Sequence, residues 1–296
     1  MYKIGIIGSD NTHALGVAKL CNIPDENGNY KYDARVTAIY GRGDDPAHTK
    51  EVAEAGHIEK IIDDPKELFG TVDAVMTVCR SGSLHVGDIL PFVEAGIPCW
   101  IDKPICTTEE DAIRLIEAQK KSGALITGGS NVKFCYDILA LQSQMKSGGL
   151  GTILGGTMNF AGDMASQYDG LFFYGSHIVE MMLELYGYEP KSLVASAVKS
   201  DRLSVIVNYE DVQVTLNFVA EWSHYFITVY GTDRSKTVEM DISAATALGV
   251  DNMMRMLNEK KMPISLHKLL KPIEIIDAIE RSVKEGKEIE LGTWKI

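Results

Sequence analysis

Two rhythms of apolar and polar positions run along the chain. In the first, short aliphatic runs alternate with stretches of helical spacing. Residues 3–8 (Lys-Ile-Gly-Ile-Ile-Gly) predict a short buried strand. The helix-capping types Ser9, Asp10, Asn11 and Thr12 follow it and lead into the helix formers Ala14 to Leu20. The alternation continues with a strand at Arg35–Tyr40, a helix at Pro46–Ala55 and a buried strand at Val72–Val78. A helix at Leu84–Ala95, stopped by Gly96, precedes a strand at Pro98–Ile101. Thr107-Thr108-Glu109-Glu110 then forms a capping box before Ile113, Leu115, Ile116 and Ala118, with Gly123 as the stop. Strands and helices at this spacing predict an α/β fold, a parallel doubly wound sheet over residues 1–125.

After about Gly128 the rhythm changes. A helix at Tyr136–Lys146 leads through the glycine-rich Ser147–Gly151 into a strand at Thr152–Phe160, and Ser176–Tyr186 reads as a further helix. Four strands come next, at Leu193–Val198, Leu203–Tyr209, Val212–Val219 and Phe226–Tyr230, and helices at Ala244–Glu259 and Pro272–Glu285 close the chain. Strands joined by short turns favour antiparallel pairing. We therefore expect a second, α+β domain over residues 126–296, built on a large, mainly antiparallel open sheet, with its final helix free to return to the first domain.

Composition narrows the partners. A formal net charge of -12 argues against a nucleic-acid surface, which needs a basic stripe. No apolar run approaches the roughly 18 residues of a membrane helix, and the chain opens straight into its first strand, so a cytoplasmic protein is expected. Cys21, Cys79, Cys99, Cys106 and Cys135 are scattered and form no CxxC pair, so neither a disulfide framework nor a bound metal is expected.

The candidate chemistry clusters at predicted strand ends. Pro98-Cys99-Trp100-Ile101-Asp102-Lys103-Pro104 ends a strand in two charges and a proline. Proline biases the residue before it towards extended geometry, which sends Lys103 out at the carboxyl rim of the sheet, where ligands of such folds bind. Gly8-Ser9-Asp10-Asn11-Thr12-His13 occupies the place of the G-x-G-x-x-G dinucleotide fingerprint but keeps only its first glycine. Asp10 opposes a pyrophosphate there, whereas the helix start and His13 favour an anion. Gly41-Arg42 follows the second strand, where an arginine suits a 2′-phosphate. Cys79, Arg80 and His85 lie just past the strand at Val72–Val78; Arg80 fits an anion site or a solvated surface, and His85 reads more readily as structural. His177 and Glu180, three apart on a predicted helix beside Tyr174, fit an acid–base pair, half a metal site or a buried histidine satisfied by a carboxylate.

Together these features resemble the Gfo/Idh/MocA family of oxidoreductases. The matching residues are the opening Lys3–Gly8, Ser83-Leu84-His85, Glu94-Ala95-Gly96-Ile97-Pro98 running into Asp102-Lys103-Pro104, Asn131-Val132-Lys133-Phe134 and Gly175-Ser176-His177. The resemblance implies a bound NADP or NAD, with NADP favoured by Arg42, and hydride transfer to or from a hydroxyl-bearing carbon of a sugar, polyol or related small molecule. Lys103 would orient the hydroxyl and His177 would exchange its proton, assisted by Tyr174 and Glu180. The coenzyme would lie along Gly8, Ser9, Asn11, Thr12, His13, Gly41, Arg42, Cys79, Arg80, His85, Asp102 and Lys103. A homodimer or homotetramer is expected. Asp10, and Phe173 where the family often has an aspartate, motivate two alternatives: a ligand sensor without catalysis, and cleavage of a glycoside assisted by transient oxidation.

Overall fold

The computed structural model describes residues 1–219 and 225–296 and divides into two units. The first comprises residues 1–106, 110–129 and 246–269. Its chain order is β1 (Tyr2–Ile7), α1 (Thr12–Asn22), β2 (Ala34–Tyr40), α2 (Pro46–Ala55), β3 (Lys60–Ile61), β4 (Ala74–Thr77), α3 (His85–Glu94), β5 (Cys99–Ile101), α4 (Glu109–Ser122) and β6 (Ile126–Gly128). The strands form one sheet in the order β3-β2-β1-β4-β5-β6, parallel throughout. The strand order reverses between β2 and β4, on either side of β1, and a doubly wound sheet binds ligands outside the carboxyl ends of its strands at such a reversal. The sequence reading missed β3 and β6, which are too short to show a period.

The second unit comprises residues 107–109, 130–245 and 270–296. It holds α5 (Tyr136–Lys146), β7 (Ile153–Ala161), α6 (Phe172–Tyr186), β8 (Ser192–Lys199), β9 (Arg202–Asn208), β10 (Gln213–Val219), β11 (Phe226–Gly231) and β12 (Ser235–Glu239). After α7 (Ala245–Glu259) come α8 (Leu266–Glu285) and β13 (Ile289–Glu290). The second sheet runs β12-β11-β7-β10-β9-β8-β13. Its pairs are antiparallel except β7 with β10, which are parallel and in register from Gly155 opposite Gln213 to Ala161 opposite Val219. Alternation sorts its two faces. Val205, Val207, Val214, Leu216, Ile227 and Val229 are buried, whereas Thr157, Asn159, Ser204 and Asn217 lie on the other face, where Asn217 bonds Ser204, Thr157 and Asn159.

Two helices depart from their expected places. The helix that returns to the first unit is α7, not the final one: Val250, Met253, Met256 and Leu257 join Ile4, Ile6, Val17 and Val36 in its core. Tyr2 and Tyr32 tie α7 down, donating to Leu257 O at 3.1 Å and to Asp251 Oδ1 at 2.7 Å. The last helix, α8, starts at Leu266 and continues through Pro272, which had read as its first residue. Leu269, Leu270, Ile273, Ile276 and Ile279 bury one continuous apolar stripe across the proline. That burial outweighs a break of roughly 3 kcal/mol, at ~1.5–3 kcal/mol per large aliphatic side chain.

Candidate active site

In the first unit the site is built at the carboxyl ends of β1, β4 and β5. Gly8 leaves β1 with φ of +98°, and a Cβ there would sit 2.7 Å from Cys79 Sγ, so the turn needs glycine on both counts. Asn11 caps α1 by accepting the His13 N–H at 3.2 Å. Its amide also reaches across the sheet rim and donates to Asp102 Oδ2 at 3.0 Å, and His13 Nδ1 meets the same oxygen at 2.8 Å. Asp102 is 1 % exposed, and its Oδ1 is buried with no hydrogen-bond partner among the described residues.

These contacts set the charges. The Asp102 carboxylate raises His13 above the ordinary imidazole value, against the opposing effects of burial and of Lys103. Burial pushes Asp102 up, but the His13 charge and hydrogen bond, with Lys103 and His85 behind them, hold it below its usual range. Lys103 itself is 4 % exposed, so it is held at the rim and not spread into solvent.

Several expected coenzyme contacts have other partners. Ser9 is buried and shares a 2.8 Å hydrogen bond with Thr49 on α2. Gly41 is required by that same threonine, because a Cβ would lie 2.0 Å from Thr49 Oγ1. His85 is fully buried, with Nδ1 2.6 Å from Pro104 O and Nε2 2.9 Å from Cys79 O, so it staples the ends of β4 and β5. Cys79 is a buried thiol raised well above its ordinary value by burial. Arg42, with φ of +60°, is ion-paired to Asp88 on α3 and stands 3.9 Å from Asp44. Burial works against its charge, and Asp88 more than restores it. Beside it, Tyr40, Arg42, Pro46 and Ile62 line a cleft of about 190 Å³.

Asp10 lies in the turn before α1. Its carboxylate accepts the Arg80 N–H at 3.2 Å, and the first turn of α1 carries no acidic residue. Thr12 is exposed at that helix start. A left-handed glycine, a helix N-terminus whose first turn carries no acidic residue, and a buried acceptor at Asp102 fit a dinucleotide.

The second unit supplies a separate cluster. His177 and Glu180 both lie buried on α6, but the carboxylate does not orient the imidazole as their spacing had suggested. His177 Nδ1 is 2.7 Å from Ser130 Oγ. Glu180 accepts the Ser130 N–H at 2.7 Å through Oε1 and the Lys133 ammonium at 2.6 Å through Oε2. Burial pushes Glu180 up, while Lys133 and the Ser130 amide pull it back. Tyr174 packs its ring 5.5 Å from the imidazole, and Phe160 packs at 5.3 Å. Ser130 was missed because nothing local marks it, and Lys133 entered only as part of a motif. In the structure Ser130 caps a short 3-10 turn, Asn131–Phe134, whose Lys133 is buried. Among the described residues no group of His, Cys, Asp or Glu is placed to hold a metal, and no helix is long and apolar enough to cross a membrane.

Residues 2–130 match the family model described as "Oxidoreductase family, NAD-binding Rossmann fold". Over these residues the chain is similar to the Gfo/Idh/MocA oxidoreductases. Inositol 2-dehydrogenase of Paracoccus denitrificans is 34 % identical over 125 residues, 41 % of this chain and 34 % of its own. The matched stretch thus spans about a third of that relative's length. The NADP(+)-dependent scyllo-inositol 2-dehydrogenase of Bacillus subtilis is 24 % identical over 219 residues, 70 % of this chain and 58 % of its own. Scyllo-inositol dehydrogenase of Lactobacillus casei, solved with NAD(H) and scyllo-inositol, superposes with a TM-score of 0.83 at 13 % identity, over 99 % of this chain and 100 % of its own. That likeness in fold extends beyond residues 2–130 to the second unit.

Two outcomes are expected. Lys133→Met strands the Glu180 carboxylate in the interior, so chemical denaturation should show a loss of about 3–5 kcal/mol, largely recovered in Lys133→Met/Glu180→Gln. For the Asp102–His13 pair, a raised imidazole adds stability that is complete below about pH 6.5 and fades as pH climbs through its folded value. A lowered carboxyl adds stability above about pH 3.8 that is lost as pH falls. The difference in unfolding free energy between wild type and His13→Gln should therefore be widest near pH 5–6 and clearly narrower at pH 9.

Proposed function

We propose that the chain is a nicotinamide-dinucleotide-dependent oxidoreductase acting on a hydroxyl-bearing carbon of a polyol, with cyclitols such as the inositols as the leading substrate class. The observation that carries this reading is the rim of the first sheet, where Gly8, the start of α1 and the buried Asp102 beside Lys103 come together. Several relatives are named inositol dehydrogenases, which supports the substrate class.

When bound, the dinucleotide supplies the hydride acceptor or donor at its nicotinamide. The start of α1 and Gly8 would hold its phosphates, and the cleft beside Tyr40 its adenosine end. The protein's own task is then the proton and the charge on oxygen. Oxidation of a carbinol removes hydride from carbon and a proton from the hydroxyl, so a base must stand by. His177 is suited to it, with its imidazole held at Nδ1 by the Ser130 hydroxyl. Lys103 offers an ammonium that favours the developing alkoxide. Tyr174 walls the imidazole. Glu180 acts indirectly, as a positioning residue, by fixing Lys133 and the Ser130 amide.

The choice of coenzyme turns on Arg42. Its place after β2 favours NADP, but Asp88 holds the guanidinium, and a 2′-phosphate would have to displace or lie against that carboxylate. The pairing favours NAD over NADP.

Replacing Lys103 or His177 by Ala should lower kcat on an inositol by roughly 100-fold or more, with NADH affinity, read by fluorescence titration, nearly unchanged. Wild-type turnover in either variant removes that residue from the mechanism, and failure of both NADH and NADPH to bind below millimolar concentration returns the chain to the non-catalytic ligand sensor. Asp88→Asn should release Arg42 and strengthen NADPH relative to NADH by about tenfold, equivalent to ~1.4 kcal/mol. An unchanged ratio would sink the coenzyme assignment.

A further inference from the structure

The turn before α1 departs from the dinucleotide fingerprint at its second and third glycines, which are Asp10 and His13. A glycine-rich turn meets a diphosphate with bare backbone amides. Here the last position carries an imidazole with a carboxylate behind it. His13 Nδ1 lies 2.8 Å from Asp102 Oδ2, and Asp102 is 1 % exposed, whereas the His13 side chain keeps 25 % of its surface open to a ligand. No step of the proposed reaction uses this pair.

The local structure alone does not favour a charged His13. It is the second residue of α1, and a cation in the first turn opposes the helix dipole. The Asp102 charge, with its hydrogen bond, nevertheless holds the imidazole above its ordinary value, against burial and Lys103. Asp102 divides its own oxygens unequally: Oδ2 serves Asn11 and His13, and Oδ1 is buried with no hydrogen-bond partner among the described residues. The rim thus offers an imidazolium to an anion and a buried acceptor to a hydroxyl. A diphosphate attached to a ribose has both.

The charged and titratable groups around the imidazole come from several elements. Asp10 lies in the turn before α1 and accepts the Arg80 N–H, Cys79 and Arg80 follow β4, His85 opens α3, and Asp102 and Lys103 follow β5. The first turn of α1 adds no acidic residue. Asp10 and Asp102 are matched in number by Arg80 and Lys103, so the proton on His13 sets the sign of the rim.

We infer that His13 is a proton-gated binding residue for the dinucleotide: its imidazolium, oriented by Asp102, answers the charge of the diphosphate, and the protein takes up a proton at His13 as the coenzyme binds. The proton passes from solvent to the ring, and no bond of the coenzyme changes. An anion beside the imidazolium favours the charged form further, so the complex holds more of the proton than the free protein does. Affinity is therefore full below the free protein's His13 value, which lies above 6.5, and falls as pH rises through it. The diester charges of the diphosphate do not titrate in this range, so the dependence belongs to the protein. The inference rests on the nicotinamide-dinucleotide reading for its ligand, but not on hydride transfer.

Titration of the full chain with NADH by fluorescence, and with ADP-ribose by calorimetry, tests it at about pH 6.5 and about pH 9. Both probes should bind weaker by about tenfold or more at the higher pH. At about pH 8, binding heats in two buffers of different ionisation enthalpy should report net proton uptake. His13→Gln should bind at the lower pH about as weakly as wild type does at the higher, with no proton uptake, and Asp102→Asn should move the fall in affinity to lower pH. A thermal melt close to wild type establishes that each variant is folded, and the wild-type comparison needs no variant. Equal wild-type affinity at the two pH values, or a folded His13→Gln with the wild-type pH dependence, overturns the inference and leaves the oxidoreductase reading intact. Proton-linked binding without hydride exchange with a polyol overturns that reading and leaves His13 in its role. Binding of neither probe below millimolar concentration overturns both.

Discussion

A carboxylate buried at the end of β5 has to be satisfied, and much of the first unit's rim is arranged around that requirement. Asp102 takes one donor from Asn11, which is at the same time the cap of α1, and a second from His13 in the helix's first turn. The strand end and the helix start are thereby locked in one relative position, with Lys103 next in the chain. A dinucleotide fingerprint rich in glycine achieves close approach by omitting side chains. Here the turn keeps Asp10, Asn11 and His13, but each is occupied: the first with the Arg80 amide, the other two with Asp102. A carboxylate that looked hostile to phosphate in the sequence accepts a hydrogen bond from the Arg80 amide.

The second cluster follows the same logic with a different charge. Lys133 and Glu180 are both buried, and an ion pair in such surroundings is tolerated only when its remaining lone pairs are satisfied. The Ser130 amide completes that requirement. Its hydroxyl then reaches the imidazole of His177, so a structural demand in the interior ends up setting the orientation of a group with acid–base chemistry.

Much of this was legible in the order of residues, and the exceptions have physical causes. Alternating strands and helices announced the parallel sheet, and the hairpin pattern around Val205 and Val214 announced the antiparallel one. Lys103 was marked by its proline and strand end, and His177 by its helical spacing. What remained hidden were relations between distant positions. The i, i+3 spacing of His177 and Glu180 was read as a partnership, yet both side chains find partners near residue 130, some fifty positions earlier in the chain. Arg42 read as a phosphate ligand because Asp88, the group that holds it, comes 46 residues later. The helical period of α7 was plain, but period alone does not say which core a helix will join.

That allegiance of α7 bears on how the protein can be divided. The chain passes between the two units repeatedly, and the first is completed by residues 246–269, which are translated long after its sheet. A fragment cut after β6 would contain every strand of that sheet and still lack Val250, Met253, Met256 and Leu257 from its core. The first unit is thus not a portable cassette. During synthesis its apolar face must wait for most of the second unit to emerge, and any exchange of parts between proteins of this architecture has to carry the returning helix along with the sheet it covers.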